Sequence, residues 1–172
     1  MITYNPAFDL YHSIFRMAHI AAKLEVDECL EVDKVRIWDF YLLFPDKVYG
    51  IHLRNDEGEL KEYRRLIKKQ NNPYEYRGDN RKLFEWIKPV QVSALGCLVS
   101  CGILNKEKYE VGCVCVDNHD ALAAFIQKAG NIANREHNVL AFMSYLSRTM
   151  SMTGEYGLKA RTELLESKYD AE

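Results

Sequence analysis

Apolar side chains recur at helical spacing near the start of the chain. Asn5 and Pro6 begin this stretch, because Asn is a favourable helix cap and Pro loses no hydrogen bond at the first helical position. The periodicity predicts a helix over residues 6–22. Its apolar stripe consists of Phe8, Tyr11, Ile14, Phe15, Ala18, Ala21 and Ala22.

A second helix is predicted between Asp33, which can cap it, and Pro45, which ends it. Its residues 38–44, WDFYLLF, are apolar on nearly every side, which is typical of a central helix. Asp39 is the exception. A carboxylate in such surroundings needs a partner, an arginine or a backbone group, so we interpret Asp39 as structural.

The middle of the chain alternates between turns and short helices. Turn-forming residues at 54–59 precede a third, charged helix that ends near residue 69. Residues 70–80 have the composition of a loop, and residues 81–87 predict a short helix that Pro89 stops.

A further helix is predicted over residues 90–101, with Gly102 as its left-handed C-terminal cap. Residues 110–116 alternate in polarity as a strand does, and residues 117–120 end that strand and cap the next helix. This 90–116 stretch has the order of a winged helix, in which a reading helix is followed by a hairpin.

From Ala121 onward the pattern predicts one long helix with a kink at Gly130. Gly154 and Gly157 then loosen the chain before a final polar helix over residues 158–169. The apolar stripe of the long helix consists of Leu122, Phe125, Ile126, Ala129, Ile132, Ala133, Leu140, Met143 and Leu146.

These elements predict a mainly α fold with a small β-hairpin: a winged-helix-like core plus N-terminal and long C-terminal helices. The length of 172 residues suffices for one sizeable core. We expect a single domain over residues 1–172, with the winged-helix-like part at about 33–116 and the C-terminal helical part at 117–172.

Composition excludes several classes of protein. The formal charge of −2 provides no overall attraction to nucleic acid or membrane. The first residues lack the features of a signal peptide, and the least polar stretch, residues 92–104, is too short to span a bilayer. The odd number of cysteines, five, also suits a reducing compartment, so we expect a cytoplasmic protein.

The candidate metal ligands are poorly spaced. Cys97 and Cys101 lie one helical turn apart, and Cys113 and Cys115 share one face of a strand, whereas a zinc knuckle separates its cysteines by two residues in a tight turn. Core packing is the favoured interpretation, because Cys is among the most buried residue types. None of the five histidines has a second ligand at metal spacing, so we expect no metal.

Catalytic motifs are also missing. The chain has no nucleophile elbow and no glycine-rich phosphate loop. Residues 56–61, DEGELK, resemble the end of a nuclease motif, but that motif needs a core strand and these residues open a polar helix. We therefore expect no enzymatic activity and no cofactor.

Four cations form a basic strip: Arg64, Arg65, Lys68 and Lys69. Their spacing places them on one face of the predicted third helix. The ordinary interpretation is a solvated face with Glu59 and Glu62 as partners. The functional alternative is a contact with DNA backbone held by a larger complex, or with an acidic surface of a partner protein.

By contrast, the predicted reading helix at residues 90–101 has no Lys, Arg, Asp or Glu. A winged helix that reads DNA needs cations there or on its wing, where only Lys106 and Lys108 are near. Such a neutral helix suits contact with a protein better than contact with DNA.

Two stretches, YNPAFDLYHSIFRM at residues 4–17 and LEVDKVRIWDFYLLFP at residues 30–45, carry a resemblance. They resemble the small middle component of bacterial ABC three-component defence systems, a group that includes Lamassu-type anti-phage and anti-plasmid complexes. In such systems an SMC- or Rad50-like ATPase, a small middle subunit and an effector, often a nuclease, act together.

The resemblance implies a non-enzymatic assembly subunit that bridges the ATPase and the effector and reaches DNA only through the complex. It implies no site residues, because middle components have no catalytic motif. The alternative from a different class is a winged-helix DNA-binding transcriptional regulator.

Overall fold

The computed structural model describes residues 5–70 and 77–166. Contacts between residues divide the chain into two compact units. Unit 1 comprises residues 1–43 and 87–132, and unit 2 comprises residues 44–86 and 133–172. Each unit is therefore built from two separate stretches of chain. The expected single domain stays a prediction.

Unit 1 begins with a short 3-10 helix, Pro6–Phe8, followed by α1, Leu10–Ala21. The side chain of Asn5 accepts a hydrogen bond from the N–H of the second residue of the 3-10 helix at 3.0 Å, which confirms its capping role. The predicted single helix over residues 6–22 is interrupted because Asp9 is extended. Its carboxylate caps α1 by accepting from the N–H of His12 at 2.9 Å.

Helix α2, Val32–Leu43, is the centre of unit 1, where it packs against α1. Its eight consecutive residues from Val35 to Leu42 are all buried, which confirms the prediction of a central helix. Asp33 lies in the first turn of α2 rather than at its cap.

Two short strands, β1 (Cys29–Glu31) and β2 (Cys113–Cys115), pair antiparallel with Leu30 opposite Val114. The fold class is confirmed: mainly α with a small antiparallel pair of strands. The partner of β2 precedes α2 in the sequence, and a disulfide joins Cys29 to Cys115 across the pair.

The predicted strand over residues 110–116 is shorter in the structure because a helix occupies the residues before it. This helix is α5, Lys106–Glu110, and Gly112 then turns the chain at a φ of +85°.

The two helices predicted around Pro89 are one continuous helix, α4, Asn80–Ser100, so the predicted stop at Pro89 is wrong. Apolar side chains recur at helical spacing before and after the exposed proline, so one buried face runs along the whole helix. They are Leu83, Phe84, Ile87, Ala94, Leu95 and Leu98. Burial of this face keeps the helix continuous. Gly102 has a φ of +72°, which confirms its role as the left-handed cap.

The long C-terminal helix is also divided, into α6 (His119–Ala129) and α7 (Asn134–Thr149). Gly130 ends α6 at a φ of +97°, so it separates two helices where a kink was predicted. The side chain of Asn118 accepts from the N–H of Ala121 at 2.9 Å, which confirms the predicted cap.

In unit 2, α3 (Gly58–Leu66) packs against α7, which also contacts a 3-10 helix at Pro45–Gly50. The final helix, α8, spans only Leu158–Thr162 because Glu163 adopts a φ of +55°. The end of the predicted final helix, residues 167–169, and most of the predicted loop, residues 71–76, lie outside the described residues. None of the described helices is both long and apolar enough to cross a membrane.

Candidate partner-contact surfaces

The basic strip is not one helical face. Helix α3 ends at Leu66, and Ile67 is buried and extended, with φ −86° and ψ 90°. Lys68 and Lys69 therefore lie beyond the helix. We refer to residues 64–70 as the basic segment.

Two of the four cations are engaged around the ring of Tyr49. The guanidinium carbon of Arg64 lies 5.6 Å from the ring centroid, and the Nζ atom of Lys69 lies 4.4 Å from it. Arg64 also donates to the carbonyl of Ile51 at 3.2 Å. The hydroxyl of Tyr49 donates in turn to the carbonyl of Ile67 at 2.8 Å.

The other two cations, Arg65 and Lys68, are exposed, as is Lys69. Arg65 forms an exposed ion pair with Glu62, one turn earlier on α3. Lys68 is exposed and makes no ion pair within the part of the chain that the structure describes. The ion pair of Arg65 with Glu62 agrees with the interpretation of a solvated face. Lys68 could instead bind a carboxylate or phosphate of a partner.

The backbone of the basic segment is held by side chains of α7 and of the 3-10 helix. Asn138 donates to the carbonyl of Leu66 at 3.0 Å, and the Nε of Arg135 donates to the carbonyl of Lys68 at 2.9 Å. Asp46 accepts from the N–H of Gln70 at 2.9 Å and pairs with Arg135 at 2.7 Å. Burial raises the pKa of Asp46, but these hydrogen bonds outweigh burial and leave the pKa below its ordinary value.

The second candidate surface is the exposed side of α4 in unit 1, which we refer to as the neutral face. Its exposed members are Pro89, Val92, Ser93 and Ser100, and Gly96 lies half-buried among them. The hydroxyl of Ser93 donates to the carbonyl of Pro89, and that of Ser100 donates to the carbonyl of Gly96, each at 2.8 Å. Both hydroxyls are thus satisfied within the helix, so this face demands few hydrogen bonds from a partner.

A buried polar network fixes the orientation of α4 in unit 1. Asp39 is fully buried and accepts from the Nε of Arg16 at 2.5 Å and from the amide of Gln91 at 2.8 Å. The Oε1 of Gln91 accepts from the Nε of Arg36 at 3.1 Å. An arginine is thus the partner that Asp39 was predicted to need. Because Gln91 points into the core, the next two residues, Val92 and Ser93, face outward.

These two surfaces belong to a chain whose sequence matches the family described as ABC-three component (ABC-3C) system Middle Component 5 over residues 2–170. The chain belongs to this family. The resemblance to a middle component is therefore confirmed, and it extends over nearly the whole chain. No curated protein and no solved structure matches the chain.

The cysteines of this middle component are not packed as predicted. Core packing was predicted for Cys97, Cys101, Cys113 and Cys115. It is wrong for three of them, because Cys101 is exposed and Cys97 and Cys113 are half-buried. Only Cys115 is buried, and its sulfur is bonded to Cys29. Within the described residues, no three His, Cys, Asp or Glu side chains are grouped to hold a metal ion. The absence of a metal stays a prediction.

Residues 56–61 of the middle component, which resemble the end of a nuclease motif, lie in a turn and the first turn of α3. Glu57 receives two hydrogen bonds, each 2.7 Å long, from the buried guanidinium of Arg161. Those bonds are the main cause that lowers the pKa of Glu57. Asp56 pairs with Arg54 at 2.6 Å. Asp56 and Glu57 therefore hold the turn in place. Sequence spacing could not reveal this structural role, because Arg161 is 104 residues from Glu57.

Proposed function

We propose that this middle component is a non-enzymatic assembly subunit that bridges an SMC- or Rad50-like ATPase and an effector, often a nuclease, in Lamassu-type anti-phage or anti-plasmid defence. The observation that carries the proposal is the family match over residues 2–170. We also place this activity in the cytoplasm. Because cytoplasmic thiols are kept reduced, this location requires that the disulfide between Cys29 and Cys115 is transient in the cell.

The neutral face of α4 is the proposed contact with the ATPase. Its uncharged side chains and internally bonded hydroxyls make desolvation inexpensive, which favours a protein partner. In unit 1, the elements α1, β1, α2, α4, α5 and β2 follow in the order helix–strand–helix–helix–helix–strand. Apart from the short α5, this order supports a winged-helix-like interpretation with α4 as the presenting helix.

Gly96 gives further support for a partner contact at the neutral face of α4. A Cβ atom at this position would meet no atom within 4 Å, so no neighbour in the chain requires a glycine there. A glycine inside a helix costs about 0.5–1 kcal/mol relative to alanine. Close approach of a partner helix would explain why the position lacks a side chain.

Co-expression of the three components followed by size-exclusion chromatography tests the proposal. We expect the wild-type chain to co-elute with the ATPase, and Gly96→Arg to abolish co-elution while the free variant keeps its melting temperature. Gly58→Arg is the matched control, since a Cβ at exposed Gly58 also meets nothing within 4 Å. Separate elution of the wild-type chain at micromolar concentration would refute the assembly role. Co-elution of Gly96→Arg would refute only the placement of the contact.

Contact with DNA is indirect in this proposal. Binding through phosphate neutralisation has a log–log salt slope of about −0.9 per contact, so four cations reach at most about −3.6. A salt titration should therefore show weak binding of duplex DNA by the free subunit. Tight, sequence-specific binding by the free subunit would instead favour the DNA-binding regulator.

A further inference from the structure

We propose that the basic segment is a docking site for an acidic segment of a partner protein that also carries an apolar side chain. This inference rests on the proposed assembly function, which supplies the partner, and it assigns the segment to protein rather than to DNA.

The backbone of the segment is fixed before any partner arrives. Three carbonyl groups, those of Leu66, Ile67 and Lys68, already accept hydrogen bonds from Asn138, Tyr49 and Arg135 respectively. A docking partner therefore meets a surface that is already ordered, and binding loses little conformational entropy. Because these carbonyls are occupied, recognition depends on the side chains.

Exposure and contacts along the segment decide which side chains those are. Ile67 is buried, whereas Leu66, Lys68 and Lys69 are exposed, and the Nζ atom of Lys69 lies 4.4 Å from the centroid of the Tyr49 ring. The exposed fraction of Leu66 is 57%, which is large for a leucine. Arg65, also exposed, precedes it. In sequence order, the exposed side chains that are not engaged with Tyr49 are therefore a cation, an apolar side chain and a second cation: Arg65, Leu66 and Lys68.

This arrangement fits protein better than nucleic acid. Protein interfaces combine apolar contacts with a charged rim, whereas interfaces with DNA are strongly positive. The same helix carries Glu59 and Glu62, which would repel phosphates, and Glu62 already pairs with Arg65. An exposed leucine contributes nothing to a phosphate contact. Carboxylates around an apolar side chain would complement Arg65, Leu66 and Lys68.

The test measures equilibrium binding of the purified chain to three probes: the ATPase component alone, the effector component alone, and a 20-base-pair duplex. The double variant Arg65→Glu/Lys68→Glu should weaken binding to one of the two components by roughly tenfold or more. Leu66→Ser, which leaves the charge unchanged, should weaken the same binding several-fold and leave duplex binding unaltered. All free variants should melt as the wild type does, because the three side chains are exposed.

Two controls make the result specific. The charge-conserving variant Arg65→Lys/Lys68→Arg should keep the affinity. Lys106→Glu/Lys108→Glu makes the same change in net charge at two exposed lysines of α5 and should also keep it. Unchanged affinity of the double variant for both components would overturn the inference, as would a loss confined to duplex DNA. A wild-type chain that binds neither component would instead refute the proposed function.

Discussion

At the scale of single residues, Asp39 and Asp33 are two carboxylates of the same helix in opposite environments. Asp39 is fully buried against Arg16, whereas the side chain of Asp33 is 47% exposed beside Arg36. We expect Asp39→Asn to destabilise the protein by about 3–5 kcal/mol, because it leaves a buried guanidinium without its counter-charge. Asp33→Asn should cost less, about 1–2 kcal/mol, because Asp33 itself is partly solvated although the guanidinium of Arg36 is buried. Urea denaturation of both variants measures the difference, and equal losses would contradict the structural role of Asp39.

The pair of Glu57 and Arg161 predicts a dependence of stability on pH. The pKa of Glu57 is lowered from its ordinary 4.5, so its stabilising effect is complete above pH 4.5 and is lost as the pH falls through the folded value. Glu57→Gln should therefore reduce the free energy of unfolding by roughly 1–3 kcal/mol at neutral pH.

That difference between wild type and Glu57→Gln should shrink below pH 4.5. Denaturation curves at a series of pH values provide the measurement. Glu62→Gln serves as the control, since its exposed pair with Arg65 should contribute less than about 1 kcal/mol at any pH. A difference that stays constant down to acidic pH would show that the Glu57 carboxylate is not the titrating group.

At the scale of elements, Pro89 tests how strongly tertiary packing holds α4 together. Its ring removes the hydrogen bond that an N–H at position 89 would donate to the carbonyl of Glu85. We expect Pro89→Ala to stabilise the protein by about 1–2 kcal/mol, the gain of that bond less the added entropy of the unfolded chain. The midpoint of chemical denaturation measures this effect. Lys88→Ala, at the neighbouring exposed position, should change stability by less than about 0.5 kcal/mol.

Local signals predicted those elements whose ends depend on local chemistry. The caps at Asn5 and Asn118 and the left-handed Gly102 all lie where the sequence indicated, because each acts within a few residues. Pro89 led to a wrong prediction of a helix end, because the continuous buried face of α4 overrides the tendency of proline to end a helix. The partner strand of β2 could not be predicted, since pairing with β1 is set by contacts across most of the chain.

The two candidate surfaces were also predictable to different degrees, because only one of them depends on contacts between distant residues. The neutral face follows from composition alone, so the sequence was sufficient to find it. The basic segment was identified by its charges, but its geometry was not, because the end of α3 depends on Tyr49, Arg135 and Asn138. Which cations remain available is decided by those distant side chains.

At the scale of the whole molecule, the disulfide predicts the number of reactive thiols. With Cys29 bonded to Cys115, three of the five cysteines should react with a thiol reagent in the denatured, unreduced protein. Reduction, or Cys29→Ser, should lower stability by about 2–4 kcal/mol, because the bond closes a long loop. Cys101→Ser should have no such effect, since Cys101 is exposed and unbonded. Five reactive thiols before reduction would contradict the bond.

The discontinuous path of each unit has a consequence for biosynthesis. Helix α2 is apolar on nearly every side, yet its partner Gln91 in α4 leaves the ribosome only after residues 44–86. At roughly 5–20 residues per second, translating those 43 residues takes about 2–9 s. During that interval α1 is already made and can cover one side of α2, but the side that later meets Gln91 stays exposed. Newly made protein should therefore depend on holdase chaperones more than a chain of similar length whose units are contiguous.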